Sequence, residues 1–181
     1  MRRSLGGTPD TMQGPGPDWI HDWNQPTDAA ARPAKPAEVC DETLRDGLQS
    51  PSVRQPAAAE KVKLLHHMAG LGVDAVNLGL PGAGAHVVEH VTRLAREMRD
   101  ARLPMSPHCA ARTLVQDLEP IRRIRDEVGI QLEVGMFIGS SPIRMDVEEW
   151  DLDHLLRTSE LAFTYCANHD LPVMFVTEDT T

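Results

Sequence analysis

From residue 38 onward, short apolar runs alternate with longer segments of helical apolar spacing. No other feature constrains the fold as much. The strand candidates are 38–43, 73–80, 103–109, 130–138 and 171–177. The spacing predicts helices over 56–71, 85–101, 114–128 and 147–168. In the first, apolar residues recur at Val62, Leu65 and Met68/Ala69. Pro56 sits at an allowed helix start, and Gly70 and Gly72 lie near the end. In the second, Val87, Val91, Leu94, Ala95 and Met98 share one side. Prolines 104 and 107 weaken the third strand, and Pro120 is expected to interrupt, kink or restart the third helix. Strands begin roughly every 28–40 residues, and each crossover holds a helix. That is the pattern of parallel βα units, an α/β fold. A doubly wound open sheet and part of a (β/α)8 barrel both satisfy it.

Residues 1–37 read differently. They hold six of the fourteen prolines, together with Gly6, Gly7, Gly14 and Gly16. Such a segment cannot bury enough apolar surface to offset its ordering entropy, so a disordered, flexible tail is expected. The exception is Trp19, Ile20 and Trp23, which suit a short docking segment, with a subunit contact or lid as the alternative. The tail carries as many bases as acids, so residues 38–181 hold the whole net charge of −9. An acidic body argues against nucleic acid and anionic membrane as partners, because phosphate contacts need clustered Lys and Arg. No stretch reaches the roughly 18 apolar residues of a membrane span. Arg2 and Arg3 are not followed by an apolar signal region. Three widely spaced cysteines, Cys40, Cys109 and Cys166, form neither a disulfide framework nor a CxxC knuckle. A reduced, cytoplasmic protein is the simplest expectation.

The densest polar stretch is DETLRDGLQSPSV, residues 41–53. It follows the first strand, and parallel α/β folds bind ligands at the carboxyl ends of their strands. Asp46 can hold a divalent cation, and Arg45 can polarise a carbonyl oxygen or hold a carboxylate. A capping loop with an internal Arg–Asp pair explains the same residues. A rival signal is HVVEH at 86–90, which matches the H-x-x-E-H zinc peptidase pattern. Its helix lies between two parallel strands, where one face must pack on the sheet. PGAGAH at 81–86 reads as a tight strand-to-helix turn rather than a phosphate cradle, since Val87 occupies the last glycine position of GxGxxG.

TLRDGLQ resembles the signature of the DRE-TIM metallolyase family, also called the pyruvate carboxyltransferase or HMGL-like domain. That family includes isopropylmalate synthase, homocitrate synthase and hydroxymethylglutaryl-CoA lyase. NLGLPGAG (77–84), CAART (109–113), FIGSSPIRM (137–145) and FVTEDTT (175–181) resemble its later strand ends. The resemblance implies that residues 38–181 are the first five units of a (β/α)8 TIM barrel. It implies a divalent metal (Mg, Mn or Zn) that chelates a 2-oxo acid, with acetyl-CoA as co-substrate. By motif position Asp46 is the metal ligand, and Arg45 and Glu178 are catalytic. The resemblance implies that Gln49, Asn77 and His108 bind the substrate, with a packed or solvated histidine as the alternative for His108. The activity implied is a 2-isopropylmalate-synthase-type acyltransfer in amino-acid biosynthesis. A carbon–carbon lyase and a non-catalytic subunit are the alternatives.

Asn77 stands where many members carry Glu in an EVGFP-like segment. Leu48 in RDGLQ is lyase-like, while DETL and FIGSSPIR lean to the synthases. A barrel of this type needs about 250 residues. The family's HxH metal ligands follow the seventh strand, and no HxH occurs in this sequence. The expectation is therefore an N-terminal fragment, a truncated product or one half of a split enzyme, with little activity alone. A homodimer or a complementing C-terminal half would be its macromolecular partner.

Overall fold

The structure, a computed structural model, describes residues 37–180. The expected tail, with Trp19, Ile20 and Trp23, lies outside the described residues. Five strands form one sheet: β1 (Cys40–Asp41), β2 (Ala75–Asn77), β3 (Ser106–Arg112), β4 (Glu133–Gly139) and β5 (Val173–Glu178). Every neighbouring pair is parallel, and the order is β1-β2-β3-β4-β5. A doubly wound sheet reverses its strand order at a switch point. This sheet never reverses, so right-handed crossovers place every helix on one face. The result is a curled half-barrel, which settles the choice the pattern left open.

The helices are α1 (Ala58–Leu71), α2 (Ala85–Ala101), α3 (Val115–Val128), α4 (Pro142–Val147) and α5 (Leu152–Asn168). The core lies between them and the convex face of the sheet. Val134 and Met136 of β4 alternate with Gly135 and Phe137, and their buried side chains join Leu94 and Met98 of α2 and Leu118, Ile121 and Ile124 of α3. Each fully buried side chain of this size stabilises the fold by about 1.5–3 kcal/mol.

Three local outcomes differ from expectation. First, α3 runs unbroken through Pro120. Proline there removes one hydrogen bond to Gln116, but Leu118, Ile121 and Ile124 flank it and are each at most 1% exposed. Packing outweighs a single lost bond. Second, the helix expected over 147–168 begins only at Leu152, as α5, and a separate short helix, α4, precedes it over residues 142–147. Ser141 caps α4 by accepting from the Arg144 N–H at 3.0 Å, with Pro142 in its first turn. Asp151 caps α5 by accepting from the His154 N–H at 2.6 Å. Each cap satisfies a donor that the helix start leaves orphaned. Third, β1 is only two residues long. The Thr43 N–H donates to Asp41 Oδ1 at 2.8 Å, and Thr43–Gly47 closes into a π-helical turn. Side-chain competition for the backbone ends the strand and starts the motif loop.

Among the described residues, no helix is long and apolar enough to cross a membrane.

Candidate active site at the strand ends

The strand register builds a polar rung across the concave face. Asn77 pairs with His108, and His108 pairs with Glu133. Glu42 follows Asp41, whose register partner is Val76, and so stands level with Asn77. Glu42 is the hub. One of its oxygens, Oε2, accepts from Asn77 Nδ2 at 2.8 Å and from Arg45 Nε at 3.3 Å. The other, Oε1, faces His108 Nε2 at 3.3 Å and Cys40 Sγ at 3.8 Å. The Gly79 N–H donates to Asn77 Oδ1 at 3.1 Å. That contact orients the amide, because only its oxygen can accept, and so turns the nitrogen toward Glu42.

Asn77 and His108 are each only 2% exposed. The His108 ring lies beside Gly135, two residues along β4 from its register partner Glu133. A Cβ at residue 135 would lie 3.5 Å from the ring, in contact with it. The Cys40 thiol is pushed above its usual pKa, first by partial burial and then by the Glu42 carboxylate.

The residues singled out from sequence do not all meet. Arg45 is ion-paired to both Glu42 and Asp46. Asp46 is about half exposed, in the turn beyond the rung. The internal Arg–Asp pair foreseen for this loop is therefore present. Gln49 is exposed past the same turn. Asn77 and His108 join Glu42 as described. Glu178 stands apart at the far end of the sheet, where it helps line a cavity of about 280 Å³ with Arg112, Phe137, Arg144, Trp150 and His154. Two of the cations there are already paired. Arg112 makes a two-pronged contact with buried Asp117 at 2.7 and 2.8 Å, which raises the guanidinium pKa. Arg144 pairs with Glu148 at 3.2 Å.

Cys40 and Glu42 escaped the sequence reading as site residues. Their spacing was a usable signal, since residues two apart on a strand share a face. Their meeting with His108 had no local signal.

HVVEH folds as part of α2, which packs on the sheet through Val91, Leu94 and Met98. Its residues form no three-ligand cluster among the described residues; the one such cluster is Cys40, Glu42 and His108. His90 Nδ1 is buried with no hydrogen-bond partner among the described residues, and the ring is held below its usual pKa by burial and then by Lys61. Cys109 is fully buried on the helix-facing side, and burial drives its thiol pKa far up, as expected of an inert structural cysteine.

A singly wound half-barrel with polar side chains at its strand ends defines a class, the βα-barrel proteins. The comparisons narrow it. The HMGL-like family profile matches residues 37–179. The chain belongs to the HMGL-like family, a metal-dependent branch of the DRE-TIM proteins. It is 30% identical over 145 residues to a 2-isopropylmalate synthase of Aquifex aeolicus, covering 79% of this chain and 26% of that protein. It is 28% identical over 143 residues to the homocitrate synthase AksA of Methanosarcina acetivorans, covering 78% and 33%. A 2-isopropylmalate synthase of Acidimicrobium ferrooxidans is 32% identical over 124 residues, covering 67% and 21%. The chain thus spans between a fifth and a third of the length of these relatives.

Proposed function

We propose that this chain carries the first five strand ends of a synthase site that condenses acetyl-CoA with a 2-oxo acid, as in 2-isopropylmalate synthases. The carrying observation is Arg45, held at the carboxyl end of β1 by Glu42, beside a buried rung of Asn77 and His108. A guanidinium fixed in this way suits the alkoxide charge that develops when an enolate adds to a ketone carbonyl. Synthase relatives favour this direction over the lyase direction.

In this reading Arg45 stabilises charge and Glu42 positions it. Asn77 directs its carbonyl to Gly79 and an N–H to Glu42, so it acts chiefly by orienting that carboxylate. Gln49 and Glu178 reach the substrate from the two ends of the sheet, and His108 closes the floor between them. Asp46 offers a metal one carboxylate. No second and third ligand atoms gather with it among the described residues, so no step is assigned to a metal at Asp46. The substrates are small molecules, and the setting is the cytoplasm.

Assays of CoA release test the reading. Acetyl-CoA and 2-oxoisovalerate are supplied to the 181-residue chain, alone and mixed with the C-terminal portion of a matched synthase. Free CoA is expected from the mixture and little from the chain alone. Arg45→Gln should lower the mixture's rate by about 10²–10³-fold. Acetyl-CoA formation from a hydroxyacyl-CoA instead would replace the synthase with a lyase. Neither reaction in the mixture would leave a non-catalytic subunit.

A further inference from the structure

We infer that Cys40, Glu42 and His108 form a binding site for a zinc-class divalent metal, separate from Asp46. The three ligand atoms lie within 4.8 Å of one another. Their separations are 3.3 Å for His108 Nε2 to Glu42 Oε1, 3.8 Å for Cys40 Sγ to that oxygen, and 3.9 Å for Cys40 Sγ to His108 Nε2. Tetrahedral zinc, with bonds of about 2.3 Å to sulfur and about 2.0–2.1 Å to nitrogen and oxygen, sets roughly 3.3 Å between N and O and roughly 3.5 Å to sulfur. The nitrogen–oxygen edge already fits. The sulfur needs to move in by a few tenths of an ångström, and a cysteine on an exposed strand end can do that.

The surroundings resemble those of a metal ligand set. Ligating carboxylates are held by further hydrogen bonds. Glu42 Oε2 is held by Asn77 and Arg45, which leaves Oε1 aimed at the cluster. Asn77 is fixed in turn by the Gly79 N–H. A glutamate at residue 77 would set a second carboxylate against Glu42, whereas asparagine supplies the donor that Glu42 needs. This gives the departure at residue 77 a physical reason. His108 is buried with Nε2 pointed into the cluster.

Thiolate, carboxylate and neutral imidazole together carry two negative charges, which balance a divalent ion. On binding, the thiol proton passes to solvent. Thiolate and imidazole select zinc or cobalt over magnesium or calcium, which prefer oxygen. Three protein ligands leave the fourth tetrahedral position open, the arrangement of zinc sites that take a water or a substrate oxygen.

Cobalt(II) is the probe. The full chain, stripped with chelator, is titrated with Co²⁺ and followed by absorption. One equivalent is expected, with thiolate-to-cobalt charge transfer in the near ultraviolet and the strong visible bands of four-coordinate cobalt. Cys40→Ser should abolish the charge-transfer band while far-ultraviolet circular dichroism is unchanged. Asn77→Leu should weaken binding by about tenfold or more. Asp46→Asn should keep the spectrum, so the result does not depend on the synthase reading. Absence of the band at saturating cobalt overturns the site. So does a band that survives Cys40→Ser, or one that disappears with Asp46→Asn.

Discussion

The two faces of the sheet follow different rules. On the convex face, Val134, Met136, Cys109 and Ala111 are sealed beneath α2, α3 and α5, and none is measurably exposed. On the concave face, residues from the same strands alternate between buried polar groups and open apolar ones. His108 is almost fully buried, whereas Met174 and Val176 are each 40% exposed. The convex face stabilises the fold by apolar burial. The concave face contributes little by that route and instead gathers charge, hydrogen bonds and a thiol around Glu42. Stability and chemistry are therefore divided between opposite sides of the same strands, and substitutions should report which side they strike.

The largest effect is expected on the convex side. Leu118→Ala removes a fully buried side chain from α3. It should cost about 3 kcal/mol, read as a lower denaturant midpoint. Next comes Gly82, in the turn before α2. A Cβ there would lie 2.6 Å from the carboxyl carbon of Asp117, which is clamped by Arg112. Gly82→Ala should cost about 1–3 kcal/mol as that pair is forced apart. It would sharpen the comparison by showing that the rim is tightly packed too. On the concave side, Val176→Ser should change stability by no more than about 0.5 kcal/mol. A loss as large as that of Leu118→Ala would break the comparison outright.

The smallest effect is a pH dependence. His90 on α2 faces Lys61 of α1, with Glu89, His86 and Arg93 on its own helix, and its pKa lies below the usual 6.5. Between those two values the unfolded chain binds a proton that the folded chain refuses. The corresponding stability is complete above about pH 6.5 and is lost as pH falls through the folded value. His90→Leu should flatten that slope, seen in denaturant midpoints between pH 5 and 7.

The convex face could be read before folding. Val91, Leu94, Ala95 and Met98 recur at helical spacing, and all four are buried in α2 as the period requires. The error at 147–168 has an equally local cause. Asp151 is a capping residue type and marks where α5 starts, five residues after the expected boundary. The candidate site was half legible. Arg45, Asp46 and Gln49 stand in one motif, Asn77 and Glu178 fall in segments that resemble the family's strand ends, and His108 immediately precedes another such segment. Cys40 and Glu42 were not selected, because their partner His108 lies 66 or more positions away in the chain.

By itself the sequence determined the alternating elements, the helix faces that would be buried, and the polar loop after the first strand. These follow from periodicity and from side-chain competition for nearby backbone, which act over a few residues. Only the tertiary structure decided that the sheet never reverses, that Pro120 stays inside a helix, and that one carboxylate collects Asn77, Arg45, His108 and Cys40. Those outcomes depend on strand register and on packing between distant segments, and no short window of sequence contains either.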